Sequence, residues 1–532
     1  MRVMGPLLWA GGVLALSRLP GVVAALPALG ALRGPLGVVL AALALALAVG
    51  RAWRPRLPAL PGPWPLFILA AVFYVGLGLW YTTRLRVSGD EPHYLLMAQS
   101  LWREHDLDLR DNFEREDWRE YTPGPVAPHW GAPRRDGRPF PAHGPGLPLL
   151  LAPVYAAGGR RLCVAVIGLA AAALALQARA LARRAGADAG GALLAWAACA
   201  GPPVAFYALH VYTEVPSALA LAASPRLLLD AVAAADEGRG RRQAAGAALL
   251  AVLLPWLHVK MAAAAAVIGL LALFRLRGRP RAAFVAVAAL GAGLYALYFL
   301  NVYGLSSPLA LYGGTAPGVG ERRPLLALAG LLLDRSFGLL PYAPLFLLGL
   351  AGLPRLVARA RKDVAAQALL ATGLAVLAPV LAWRMWWGGQ CPPARFLVPL
   401  VPLLAVAAGG LASGAPARGL ARWRWTLAAL GLALTLFMAA DPGRLLMLNR
   451  GDRQTRVWTA LSGPVDVGGF LPSLVAAEAG DVRLLGAWLA ALAALFALHR
   501  AAASSPRADA AFRSLGLPLL LALVIGAAGP RA

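Results

Sequence analysis

Cysteine is nearly absent from this 532-residue chain. There are three, Cys163, Cys199 and Cys391, and they form neither a metal-spaced set nor a disulfide framework. Thiolate metal ribbons and disulfide-stapled scaffolds are thereby excluded. Charge is scarce as well: Asp, Glu, Lys and Arg together make up 14% of residues, where a soluble globular protein carries about 25%. Lysine is the scarcest cation, with Lys260 and Lys362 the two among fifty basic residues. No internal repeat is detectable, which counts against the repeat-built transporters.

Apolar sequence is what the chain has. Hydrophobic residues reach 59% and the mean hydropathy is +0.65. Apolar windows of about 18 or more residues recur from end to end, each long enough to cross a hydrocarbon core of about 30 Å. The fold class that follows is an all-α polytopic membrane protein. The expected spans are 5–31, 35–50, 64–82, 161–182, 188–207, 212–232, 243–257, 259–275, 283–301, 340–354, 364–383, 396–412, 425–440, 483–499 and 513–529, or about 13 to 15 helices. The opening stretch "MRVMGPLLWAGGVLALS" lacks a convincing small-residue cleavage site and reads as a retained first helix. The chain divides into extra helices over 1–63, a membrane core over 64–415, and C-terminal helices over 416–532 with an outer loop at 441–482.

A formal net charge of +25 invites a nucleic-acid reading, but the arginines sit in short clusters between apolar segments. Examples are Arg51/Arg54/Arg56, Arg179/Arg183/Arg184, Arg239/Arg241/Arg242, Arg275/Arg277/Arg279/Arg281, Arg355/Arg359/Arg361 with Lys362, and Arg418/Arg422/Arg424. Placing all of them in the cytoplasm makes the spans alternate consistently. The polar segment 83–145 then lies outside, with eleven of the 25 acidic residues. Six of the seven histidines (His93, His105, His129, His143, His210 and His258) fall on that same face. Any chemistry belongs there.

Six outer motifs carry candidate chemistry. "SGDEPHYLLMAQSLWREHDLDL" has apolar residues at helical spacing and predicts a helix along the membrane surface. Asp90, Glu91 and Pro92 stand at its start, where the helix dipole favours anions and proline fits the first turn. Capping alone accounts for one acid there, but not for two acids plus His93. "FPAHGPGLPLLLAPVY" places His143 in a Gly/Pro turn before a re-entrant or surface helix. "HVYTEVPSALAL" supplies His210, Tyr212 and Glu214. "PWLHVKMAAAAAV" puts His258 and Lys260 at the outer tip of a helix pair; the lysine reads either as a phosphate ligand or as a snorkelling boundary marker. "AWRMWWGGQCPPARFLVPLVPLL" offers a tryptophan belt and Arg395, whose planar fork suits a phosphate. Asp334 and Arg335 in "LLDRSFGLLPYAP" either serve the site or simply pair with each other.

Taken together, "GDEPHYLLMAQSL", "HGPGLPLLLAPVY", "LHVK" and "WWGG…ARFLVPLVPLL" resemble the C-fold (GT-C) membrane glycosyltransferases that use polyprenyl-phosphate sugars, in particular the protein O-mannosyltransferase and lipid A aminoarabinose transferase group. The resemblance spans roughly residues 60 to 415; the helices over 5–50 depart from the simplest family arrangement. It implies an inverting transfer to an acceptor hydroxyl on a lipid, glycan or protein, with Asp90 as general base and Glu91 supporting it. Donor-phosphate contacts fall to Lys260, Arg395 and Arg335, and substrate contacts to His93, Tyr94, His143 and Glu214. A divalent metal ion held by Glu91 with His93 or His258 is also implied. The rival class is a lipid transporter or flippase without transferase chemistry.

Overall fold

The computed structural model describes residues 5–25, 27–38, 41, 44, 62–87, 89–304, 323–413, 420, 423–502 and 505. Among these residues the structure is helical throughout, with two isolated β-bridges and no strands. Seven helices are long and apolar enough to cross a membrane: Pro63–Thr82, Gly146–Arg184, Glu214–Val232, Gly278–Tyr303, Val364–Leu381, Arg395–Ala412 and Ala479–Ala502. Ala189–Ala200, Pro324–Leu333 and Arg424–Ala440 are shorter apolar helices, and Glu237–Leu257, Ala262–Arg275 and Phe346–Ala360 complete the bundle. Alanine and glycine at the crossings let backbones approach closely, as membrane helices require. Gly352 rests on the Ala407 backbone, and Gly191 on that of Gly409. The helix Gly278–Tyr303 instead leaves Leu290, Leu294 and Leu297 more than half exposed, which suits a lipid-facing surface.

The arginine-rich helix ends meet at one end of the bundle. Arg184 and Arg226 both pair with Asp230, Arg279 with Glu237 at 3.3 Å, and Arg359 with Asp363 at 2.7 Å. Arg275 donates to Gln367 at 2.8 Å. Here too the helices Ala189–Ala200, Glu237–Leu257 and Val364–Leu381 begin, capped by Asp188, Asp236 and Asp363, each accepting from amides of the first turn. The opposite end carries the helix Glu91–Arg103 and the turns at 258–261 and 388–395.

Several expected boundaries move for identifiable reasons. The span 5–31 is broken at its prolines into Gly5–Leu16, Pro20–Ala25 and a 3-10 turn Pro27–Arg33. The span 188–207 stops at Ala200, before Gly201-Pro202-Pro203. Gly146–Arg184 unites the surface helix and the span 161–182 across a kink, where Gly159 has φ 57 and ψ −152, a region open to glycine. Pro324–Leu333 lies outside every expected span. The span 513–529 and most of 35–50 lie outside the described residues.

Candidate active site

Asp90 stands at the N-cap of the helix Glu91–Arg103, as the sequence predicts. The preceding Gly89 has φ 65, and a Cβ there would strike the Tyr212 hydroxyl and the Gln390 carbonyl. Glycine is therefore required, and the chain turns sharply enough for the Asp90 amide to donate to Tyr212 Oη at 3.3 Å. Leu95, Leu96 and Ala98 bury the helix's apolar face completely.

Four charged groups from four distant segments converge next to this turn. Arg395 pairs with Asp90 through Nη2, with Glu214 Oε1 through Nε at 2.8 Å, and donates from Nη1 to the Gly388 carbonyl at 2.8 Å. Its guanidinium lies 4.9 Å from the Tyr212 ring centroid. Lys260 Nζ reaches Glu214 Oε1 at 3.5 Å and sits 3.9 Å from the Phe396 ring centroid. The result is an alternating chain, Asp90–Arg395–Glu214–Lys260. Glu214 and Arg395 are 0% and 5% exposed at their side chains, whereas Asp90 retains 20%. Asp90 is the open end of the chain. Burial opposes its ionisation, but the Arg395 charge and hydrogen bond, with His143 and His129, outweigh burial and hold the carboxyl below the usual range.

The backbone that aims Arg395 is unusual. Ala394 is left-handed at φ 57, and Gly388 and Gly389 have φ 89 and 79. An antiparallel bridge between Cys391 and Asn449, and a bond from the Ala394 amide to the Phe337 carbonyl at 2.9 Å, hold this loop in place.

Glu91 requires a correction. It is fully buried and clasped by Arg160, with Nε–Oε1 at 2.9 Å and Nη2–Oε2 at 3.3 Å. Arg160 also donates to the carbonyls of Leu85 at 2.7 Å and Thr82 at 3.3 Å. Both carboxylate oxygens thus tie the surface helix to the end of the first long span, which leaves Glu91 no role as metal ligand. Nor does it form a metal-capable group with His258 among the described residues; His258 Nδ1 accepts from the Lys260 amide at 3.3 Å. Arg160 was not singled out in the sequence. An arginine directly after Gly158-Gly159 inside an apolar run was the signal.

Arg335 makes no ion pair with this chain of charges among the described residues, and its Nε is buried without a hydrogen-bond partner. Its carbonyl accepts from Tyr342 Oη at 2.6 Å and Trp458 Nε1 at 2.7 Å. Asp334 gives its carboxylate to the amides of Ser336, Phe337 and Leu474, so it shapes a turn. His210 Nδ1 bonds the Phe206 carbonyl at 2.8 Å, and its Nε2 is buried without a partner.

His93, His129 and His143 form a cluster beside Asp90. The His93 ring stacks on His129 at 4.0 Å between centroids and lies 5.2 Å from His143. Tyr94 packs on His143 at 4.9 Å. Burial, then the neighbouring imidazoles, push His93 below the ordinary histidine range; burial does the same to His143. His143 and Tyr94 line a narrow cleft walled by His258, Tyr295, Tyr298 and Phe299. Aromatic walls of this kind suit a sugar ring or an unsaturated hydrocarbon.

No family model matches the chain, and no curated protein matches it in sequence. Solved structures resemble it in shape. The ArnT protein of Cupriavidus metallidurans in its apo state is 15% identical, covering 88% of this chain and 77% of its own, with a TM-score of 0.46; its undecaprenyl phosphate complex gives 14% and 0.43 over the same shares. The oligosaccharyltransferase AglB of Archaeoglobus fulgidus, solved with an inhibitory peptide and a dolichol-phosphate, is 15% identical, covering 77% of this chain and 57% of its own, with a TM-score of 0.44.

Proposed function

We propose that this chain is a GT-C-type membrane glycosyltransferase that moves a sugar from a polyprenyl-phosphate donor to an acceptor hydroxyl, with inversion, on the extracytoplasmic face. The observation that carries the reading is the half-open chain Asp90–Arg395–Glu214–Lys260 at one end of an apolar helical bundle. A transporter needs a midplane site and alternating access; here the ionisable groups gather at a helix end, beside an aromatic cleft.

In the proposed reaction the acceptor oxygen attacks the anomeric carbon as the bond from that carbon to the phosphate oxygen breaks. The hydroxyl proton passes to Asp90, and the electron pair leaves with the lipid phosphate. Asp90 tied to Arg395 is a weak base. A donor phosphate competes for the same guanidinium fork, and as Arg395 turns toward it Asp90 loses its counter-charge and gains basicity. Lys260 adds a second cation on the other side of Glu214, so negative charge developing on the leaving phosphate meets two cations. The cleft beside Tyr94 and His143 receives the sugar.

The test is single-turnover transfer by purified protein from a radiolabelled polyprenyl-phosphate sugar, measured as release of polyprenyl phosphate. Wild-type protein should release it and Asp90→Asn should not, while both bind the lipid phosphate. Equal rates in the two proteins, or vesicle-to-vesicle movement of intact donor without any release, would replace the transferase with a flippase.

A further inference from the structure

We infer that His93, His129 and His143 form a binding site for one divalent transition-metal ion of the zinc type, three imidazoles with an open fourth position. The site rests on the three histidines' own placement and borders the proposed transferase centre.

Their ligand nitrogens all lie within 4.8 Å of one another. In a tetrahedral site with Zn–N of about 2.0–2.1 Å, neighbouring nitrogens stand about 3.3 Å apart, so closing the set takes a rotation of the exposed His129 ring out of its 4.0 Å stack on His93. The scaffold already fixes two of the three. His129 and His143 flank the antiparallel bridge Trp130–Pro141, locked by Gly131 N to Phe140 O at 2.8 Å and Ala142 N to His129 O at 2.9 Å. His93 enters from the first turn of the helix Glu91–Arg103, buried to 4% exposure. The second observation is that His143 Nε2 is fully buried with no hydrogen-bond partner. Of the buried histidine nitrogens without a partner, those of His143 and His210, that of His143 alone belongs to a group with two further imidazole nitrogens within 4.8 Å, and a metal ion would satisfy it. Three imidazoles with no carboxylate or thiolate in the set favour zinc-like ions over calcium or magnesium. Three protein ligands leave a fourth position for water or a substrate oxygen.

The experiment uses the full-length protein in detergent, stripped by a chelator and titrated with Co²⁺ without donor or acceptor. Tetrahedral Co²⁺ gives visible ligand-field bands that Zn²⁺ quenches on displacement. The expected result is one Co²⁺ per chain, with affinity lowered on the order of 100-fold or more by His129→Ala or His143→Ala, past the 10–100-fold of an outer-shell change. Exposed His105→Ala should bind as wild type does. His129 is exposed, so its removal cannot collapse the core, and it carries the test if the His143 variant fails to fold. Binding short of one equivalent, or binding unaltered by His129→Ala, overturns the site. The outcomes separate from those of the transferase reading: stoichiometric Co²⁺ in a protein that never releases polyprenyl phosphate leaves the metal site standing, and transfer by a protein that binds no Co²⁺ removes the site alone.

Discussion

Asp90 and Glu91 are adjacent acids with opposite fates, and substitution should separate them. Asp90→Asn keeps size and hydrogen bonding but removes the proton acceptor, so single-turnover transfer should fall on the order of 10²–10⁴-fold, and the loss of stability is limited because Arg395 keeps Glu214 as its counter-ion. Glu91→Gln should do the reverse. It leaves the Arg160 charge buried without its counter-ion, a loss of about 3–5 kcal/mol, read as an earlier unfolding transition in detergent. Glu91→Gln combined with Arg160→Met should recover much of that loss, because no charge is then left unpaired; a double variant no more stable than Glu91→Gln would contradict the clasp. The pH dependence has a definite sign. Asp90 has its folded pKa depressed, so its ion pair contributes stability fully above the unfolded value of about 3.9. That contribution is lost only as pH falls through the lower folded value. Titrating wild type against Asp90→Asn from pH 7 to pH 5 should leave their stability difference unchanged; a difference that collapses in this window would show the carboxyl is not held low. Arg395, paired on two sides, is the residue whose truncation should weaken lipid-phosphate binding and fold together. Lys260→Ala should weaken binding with a smaller stability cost.

Two glycine turns set the geometry of the elements. Gly89→Ala places a Cβ against Tyr212 and the Gln390 carbonyl at φ 65, and backbone strain of about 1–3 kcal/mol is the minimum consequence. Transfer should fall more than stability does, because the displaced residue is Asp90. Gly159→Ala should cost stability first, since the kink there is what brings Arg160 to Glu91; circular dichroism melts and donor-release rates on the two variants distinguish the cases. The elements show what a sequence can convey. Pro92, the acidic N-terminus and the spacing of Leu95, Leu96 and Ala98 encode the helix Glu91–Arg103 locally, and Asp90 is legible as its cap. The pairing of Asp90 with Arg395 crosses 305 positions; no local periodicity carries it, so the sequence yields Arg395 as a free phosphate ligand when it is a shared one. Glu91 misleads for the same reason, because its partner Arg160 lies 69 positions away. The helix Pro324–Leu333 escapes because its ten residues fall short of a membrane span. The histidine cluster escapes because a bridge between Trp130 and Pro141, in a segment without periodicity, assembles it.

The whole molecule has two chemically different ends. The bundle has an arginine-rich end, where Arg184, Arg279 and Arg359 meet Asp230, Glu237 and Asp363, and a site end, where Asp90, Glu214, Lys260 and Arg395 meet. Loop arginines orient membrane helices toward the cytoplasm, so the site end should face outward. Asp136 lies in the segment between Glu91–Arg103 and the kinked helix, 44% exposed and in loose ion pairs at 3.6 and 3.8 Å, contacts worth little at a surface. Glu237 marks the other end, 54% exposed at the start of Glu237–Leu257. Asp136→Cys and Glu237→Cys are therefore mild, complementary reporters. The three native cysteines are buried, so the background of an impermeant maleimide should be low. In intact cells Asp136→Cys should label and Glu237→Cys should not, until the membrane is permeabilised. The inverse pattern would put the Asp90 chain in the cytoplasm and sink the extracytoplasmic assignment. Labelling of both in intact cells would show that the two ends do not lie on opposite sides of one membrane, against the alternation of Gly146–Arg184, Ala189–Ala200 and Glu214–Val232 between them.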